Sequence, residues 1–525
     1  MPTTTPSTAQ RRPKLDIRHA RRWAALVGVV TGILTLATAE VVSLVVGGRG
    51  NPLLSVGSLI IDLVPPGVKS LVIALFDTAD KLFLFVVLGL VVLILATGVG
   101  LLEHRATWRG VGLLLVVGLI AITAALTRSG ATFIDALPTI AGVIAGGALL
   151  RAMTARLGEW QDAPARTSGV HYERRTFLRG LVAVGVSSAI VGAIARSVGA
   201  ASAAVQQVRN SIRLPAPATA IDALPTDAQL DVAGISPWVT PTADFYRIDT
   251  ALQVPSIDPS TWKLRITGMV ENEIEVGYDE LLALPLEEHY ATLACVSNEV
   301  GGTLIGNALW LGYPIRSLLE RAKPTNGADM VLSSSSDGFT AGSPLSALQD
   351  PGRAALLAVA MNGEPLPVEH GFPVRMVVPG LFGYVSATKW VVELKVTTFA
   401  KDMGYWTPRG WSALGPVKVS SRIDTPRQQV PAGTVAVAGV AWAQHTGISR
   451  VEVRVDNGEW RPATLARAVT ADAWVQWSYP WDATSGVHDI TVRATDANGL
   501  VQTADIAPPD PDGSTGLHRL SVSIA

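Results

Sequence analysis

"ATLACVSNEVGG", residues 291–302, holds the only cysteine of a 525-residue chain, placed where an apolar run meets a glycine pair. A single thiol cannot close an internal disulfide. It is therefore a small buried apolar residue, an intermolecular link, or a thiolate with chemistry to perform. Outward from it, "HYATLAC" (289–295) alternates as a strand that ends at the cysteine, and "WKLRITGMV" (262–270) alternates in the same way. "YDELLALP" (278–285) and "IRSLLERA" (315–322) read as short helices. "ADMVLSSSSDG" (328–338) reads as strand and turn, and "FPVRMVVPG" (372–380) and "KWVVELKVTTF" (389–399) as strands. This mixture predicts an α+β domain over 241–412. Beyond it the helix signals stop. "AGTVAVAGVAWA" (432–443), "ISRVEVRVDNGEW" (448–460), "AWVQWSYPWD" (473–482) and "VHDITVRATDANG" (487–499) are short alternating stretches with turn signals between them. They predict an immunoglobulin-like β-sandwich over 415–525, held by packing alone because it has no cysteine pair.

N-terminal to these domains the composition changes. A mean hydropathy of +0.34 with 16% charged residues is too apolar for an ordinary soluble chain, and the excess lies in residues 23–200. Runs long enough to cross about 30 Å of hydrocarbon occur at 23–47, 82–103, 110–127, 134–150 and 177–200, which predicts about five spans. The basic tail over 1–22, the loop with His104, Arg105 and Arg109, and the arginine-rich 151–175 loop fall on one side of a five-span count. By the positive-inside rule that side is cytoplasmic, and residues 201–525 lie on the extracytoplasmic face. "NPLLSVGSLIIDLVPPGVKSLVIALF" (51–76) carries Asp62, Pro65, Pro66 and Lys69, so it reads as two short interfacial or re-entrant helices; a kinked sixth span is the alternative and would reverse the topology. "ERRTFLRG" (173–180) resembles a twin-arginine export signal, which routes proteins already folded around a cofactor, although Glu173 and Arg179 depart from the usual pattern. The Ala/Pro-rich 201–240 reads as a linker wrapping onto the domain. The net charge of −1 gives no support for a nucleic-acid partner.

Four motifs occur in order: "CVSNEVGG", "ALWLGYPIRSLL" (308–319), "VEHGFPVRMVVPGLFGYVSATKWVVELKV" (368–396) and "GYWTPRGW" (404–411). Together they resemble the sulfite oxidase family of molybdopterin-dependent oxidoreductases, from about 241 to the end of the chain. The resemblance implies that Cys295 supplies a thiolate to molybdenum held by a single pyranopterin. A soft thiolate suits such a metal, and the metal deprotonates the thiol. By the same resemblance His370, Arg375 and Lys389 bind the cofactor, Ala387 and Thr388 contribute backbone contacts, and Asn298 and Asp337 stand at further cofactor positions. "DFYRIDTALQVP" (244–255) matches the stretch that places Phe245 and Tyr246 at the cofactor and Arg247 as the oxyanion-binding cation. Arg409 is retained as a second pocket arginine. Trp411 stands where the family's sulfite oxidases carry an active-site tyrosine, and an indole offers only an N–H donor. Glu299 and Val300 stand where those enzymes carry arginines.

The expectation from residues and resemblance together is a membrane-anchored molybdenum enzyme of the bacterial cytoplasmic membrane. It would transfer an oxygen atom to or from a small oxyanion or an S- or N-oxo group, with an S- or N-oxide reductase related to the methionine sulfoxide reductases, or a non-enzymatic membrane-anchored binding module, as alternatives. No Cys-x-x-Cys-His occurs and no histidine falls in a predicted span, so no haem is expected. Electrons would pass to an external cytochrome or quinone-linked redox protein. The sandwich resembles the family's dimerisation domain, which implies a homodimer.

Overall fold

The computed structural model describes residues 17–46, 50–64, 68, 75, 80–127, 131–162, 179, 205–427 and 429–525. The chain divides into two units, Met1–Ser202 and Ala203–Ala525.

In the first unit the apolar runs become helices α1 (Ile17–Val45), α2 (Pro52–Leu63), α3 (Asp80–Arg105), α4 (Arg109–Leu126) and α5 (Leu137–Asp162). All but α2 contain a stretch long and apolar enough to cross a membrane. The predicted fifth span at 177–200, apart from Arg179, and the pair Arg174–Arg175 lie outside the described residues, as does most of the second half of 51–76. The first half of that segment is α2, started by Asn51, whose side chain accepts from the N–H groups of Leu53 and Leu54, with Pro52 in the first turn. Small residues let the helices meet. A Cβ on Gly28 or Gly100 would strike the backbone of the opposite helix, so α1 and α3 touch through glycines, and Gly142 of α5 approaches the carbonyl of Thr35 in the same way. Trp23 packs edge-on against Trp160 at 5.8 Å. These contacts make both α3 and α5 antiparallel to α1, so the basic residues beside the start of α1, the α3–α4 turn and the end of α5 gather at one end of the unit. One boundary differs from expectation. The last helix continues to Asp162, which puts Arg151 and Arg156 on it rather than in a loop. Arg151 is held there by the buried carboxylate of Glu103 at 2.8 Å, which also accepts the N–H groups of Trp108 and Gly110 as α4 begins.

In the second unit two sheets build the α+β domain. The first contains β1 (Lys263–Gly268), β2 (Ile274–Gly277), β5 (Met330–Ser335), β6 (Thr340–Pro344) and β10 (Val391–Thr397), in the order β2-β1-β10-β5-β6. Only the β1–β10 pairing in it is parallel. The second contains β3 (Glu287–Ala294), β4 (Ile305–Pro314), β7 (Leu356–Met361) and β8 (Glu364–Pro365) in that order, with β9 (Arg375–Val377) paired to β7. The helices Tyr278–Ala283 and Ile315–Ala322 fill the space beside the sheets. Trp262, Ile266, Leu318, Leu357 and Leu394 share one core there. Residues 205–240, expected as a linker, are bound along the domain: Arg209 is buried and donates to the carbonyl of Leu366 at 2.8 Å, and Trp238 is fully buried beside Tyr290. The C-terminal region forms two four-stranded antiparallel sheets, β11-β12-β16-β15 and β14-β13-β17-β18, from β11 (Ser420–Thr425), β12 (Gly433–Trp442), β13 (Ile448–Val455), β14 (Arg461–Pro462), β15 (Thr464–Leu465), β16 (Val475–Ala483), β17 (Gly486–Asp496) and β18 (His518–Ile524). Val437, Val453, Trp477 and Ile490 fill the space between them.

Candidate functional site

Strand β3 delivers Cys295 to its C-terminal end, and the chain then turns through a loop closed by Asn298. The N–H of Cys295 donates to the carbonyl of Leu304 (2.9 Å), and the Asn298 Oδ1 accepts the N–H of Leu304 (2.8 Å). The thiol is buried and faces a cavity shared with residues from four other stretches of chain. Phe245 and Tyr246 come from the segment before β1, Asp337 from the β5–β6 turn, and Arg375, Ala387 and Lys389 from the segment between β8 and β10; Trp411 follows β10. Burial pushes the Cys295 thiol above its ordinary value, opposed by the N–H and hydroxyl of Ser297 and by the Lys389 ammonium.

The polar end of this cavity is cationic. Arg375 is buried over the ring of Trp310, with its guanidinium 5.1 Å from the ring centre, and donates to the carbonyl of His370 at 3.2 Å. It meets no carboxylate among the described residues. Lys389, also buried, donates to Asp249 at 3.2 Å and to the carbonyl of Glu369 at 3.0 Å. Arg247 reaches the same Asp249 at 3.1 Å from the surface. Asp249 therefore pairs with two cations, Lys389 and Arg247. His370 lies among them, edge-on to Phe245 at 5.8 Å, and its Nδ1 is buried without a hydrogen-bond partner among the described residues. Burial and then the neighbouring Arg375, Lys389 and Arg247 push its imidazole down to about 3, so the ring is neutral. Burial lowers Lys389 to about 8, against the pull of Asp249. The backbone explains how these groups converge. Gly371 has φ 114°, and a Cβ there would lie 2.9 Å from the Cβ of Arg375 and 3.2 Å from that of Lys389.

The predicted residues thus divide. Cys295, Phe245, Tyr246, Asp337, Arg375, Ala387, Lys389 and Trp411 line one cavity. His370 stands behind Phe245, and Arg247 acts on His370 and Lys389 through its charge. Asn298 closes the cysteine loop, and Thr388 is fully buried against the hydroxyl of Ser333 at 2.7 Å, neither of them on the cavity wall. Arg409 is not on the wall either: its guanidinium lies 3.8 Å over the ring of Tyr405 and donates to that residue's carbonyl. The structure adds Asp249, Ser297, Phe339, Tyr384, Trp390 and Trp406. Trp406 sits 6.0 Å from Trp411, and Trp411 sits 5.8 Å from Tyr384, giving the cavity an aromatic wall. Trp406 and Asp249 lie inside motifs already singled out, "GYWTPRGW" and "DFYRID", so their neighbourhood was the available signal.

A sole thiol and a guanidinium without a carboxylate partner on the cavity wall, with a buried orphan imidazole nitrogen behind Phe245, fit a large anionic cofactor carrying its own metal. No three His, Cys, Asp or Glu residues are grouped for a metal among the described residues, so the protein's contribution would be the thiolate.

Residues 251–406 match the family model for an oxidoreductase molybdopterin binding domain, and residues 420–492 match a bacterial Ig domain. The chain is 29% identical over 341 residues to mitochondrial sulfite oxidase of Macaca fascicularis, covering 55% of this chain and 62% of that protein. It is 28% identical over 320 residues to NADPH nitrate reductase of Fusarium oxysporum, covering 47% of this chain and 35% of the relative. It thus spans less than two thirds of the length of either. Among solved structures, the sulfane dehydrogenase SoxCD from Paracoccus pantotrophus aligns with a TM-score of 0.48 at 23% identity, over 54% of this chain and 81% of that one.

Proposed function

Because this chain belongs to the sulfite oxidase family of molybdopterin oxidoreductases, we propose that it is a membrane-anchored enzyme that moves one oxygen atom and two electrons at the Cys295 cavity. The molybdenum cofactor, when bound, supplies the two-electron redox change. Cys295 would be the metal's protein ligand. Arg375, Lys389 and the neutral His370 would hold the anionic and pterin end, where the charges are buried and preset. For oxidation of an oxyanion, water provides the added oxygen, and two protons and two electrons leave, the electrons to an external cytochrome or quinone-linked protein. The observation that carries this reading is the sole thiol facing the same cavity as the buried cationic group. Metal analysis of the purified full chain tests it: about one molybdenum per chain is expected, and Cys295→Ser should fold yet lose turnover. Molybdenum-free protein from a replete host, or undiminished turnover of Cys295→Ser, would overturn it.

A second reading, of substrate rather than cofactor, is supported by the cavity wall. Arg409 is occupied with Tyr405 and Arg247 with Asp249, whereas Ile248, Phe339, Tyr384, Trp406 and Trp411 line the cavity. Such a wall favours an S- or N-oxo group carrying an apolar substituent. In that direction the S–O or N–O bond breaks, two electrons from a reduced dye and two protons enter, and water leaves. Trp411→Ala should lower kcat/KM for an aryl sulfoxide by about ten-fold or more while leaving molybdenum content unchanged. Efficient sulfite oxidation with no sulfoxide turnover would reject this substrate class.

A further inference from the structure

The loop that carries Cys295 rests on the β-sandwich at three points. The carbonyl of Asn298 accepts the hydroxyl of Ser514 at 2.6 Å, and the carbonyl of Gly302 accepts Nη1 of Arg422 at 2.9 Å. Between them Gly301, at φ 80°, lies so close to the ring of His518 that no side chain could replace its hydrogen. Two of the three sandwich groups, His518 and Arg422, are themselves fixed. His518 Nδ1 accepts the N–H of Ile423 at 2.9 Å. Arg422 is buried, pairs with the buried Asp424 at 2.7 Å and donates to the hydroxyl of Ser236 at 2.8 Å, while Asp424 accepts the N–H of Ser236 at 3.0 Å. The charge of Arg422 is thus neutralised within the sandwich, and its planar fork has a remaining donor aimed at the loop carbonyl. A loop of ten residues with internal hydrogen bonds at only a few points would otherwise sample several conformations.

We propose that the sandwich is part of the thiol's positioning apparatus, with Arg422 and Ser514 as positioning residues that hold the Cys295 loop in one conformation. This rests on Cys295 being the functional thiol. Because the chain has one cysteine, the labelling rate of cofactor-free full-length protein with a maleimide reads that site alone. The variants are Ser514→Ala and the double variant Arg422→Met/Asp424→Asn, which removes both charges together. Labelling should accelerate about three-fold in the first and ten-fold or more in the second. Arg519→Gln, at an exposed ion pair on the same domain, should label as the wild type does. Val492→Ala in the sandwich core serves as a control for general loosening. In cofactor-loaded protein the clamp variants should shift the sulfur-to-metal absorption and lower kcat with KM unchanged. If the double variant fails to fold, Ser514→Ala decides alone. Unchanged labelling in the folded clamp variants, or equal acceleration in Val492→Ala of matched Tm, overturns the proposal. Clamp-sensitive labelling in a protein that never binds molybdenum would instead sink the cofactor reading and leave the clamp standing.

Discussion

His370 shows how a residue's role follows from its surroundings. Its imidazole is buried with Arg375, Lys389 and Arg247 nearby, and burial followed by those charges takes it from its unfolded value near 6.5 to about 3. Between these values the unfolded chain binds a proton that the native one refuses. Stability from this residue is therefore present in full above about pH 6.5 and is lost progressively as the pH falls toward 3. Urea unfolding of cofactor-free protein between pH 4 and 7, compared with His370→Gln, checks this. The wild type should lose stability more steeply on acidification than the variant, and parallel slopes would remove His370 from that role. The same neutrality leaves the buried Nδ1 available to a cofactor as either donor or acceptor, which a fixed imidazolium could not offer.

At the scale of the element, the segment from Val368 to Trp390 brings three cofactor candidates together, and its geometry depends on Gly371. Replacing it by Ala imposes two costs: a left-handed conformation at φ 114° and a Cβ at 2.9 Å from Arg375. Conformational strain alone is about 1–3 kcal/mol. Gly363, at φ 82° with nothing near its missing Cβ, carries only the first cost. Gly371→Ala should therefore lower Tm more than Gly363→Ala, and only the former should reduce molybdenum content. Equal shifts in Tm with full cofactor in both would show that the close approach of Gly371 to Arg375 and Lys389 does not govern the site.

On the scale of the whole molecule, the antiparallel packing of α3 and α5 against α1 gathers Arg21, Arg22, His104, Arg105 and Arg109 at one end of the helical unit. We propose, from the positive-inside rule, that this end is cytoplasmic; four spans would then return the chain to the cytoplasm after Asp162, and the apolar run at 177–200 would carry the oxidoreductase domain across. Reporter fusions after Asp162 and after Ala200 should give an inward and an outward signal respectively. Two inward signals would remove the last span, and an outward signal at Asp162 would reverse the topology.

Spacing within a few residues was enough to read the apolar helices, the alternating strands of the sandwich and the motif around Cys295, because helix and strand periodicity and chain punctuation are local properties. Most of the cavity's charged residues came instead from the family resemblance, which pointed to Asp337, Arg375 and Lys389. What it left undecided is whom each charge meets. Arg247 and Arg409 looked alike as pocket arginines, yet one pairs with Asp249 and the other lies over Tyr405. Lys389 finds Asp249 across 140 residues, and Arg422 reaches Gly302 across 120. Such pairings are set by sheet register and domain packing, which bring distant carboxylates, carbonyls and rings within hydrogen-bonding range. Only the folded chain therefore decides which cations remain for an anionic cofactor, which aromatic side chains wall the cavity, and that the thiol's loop is held from the neighbouring domain.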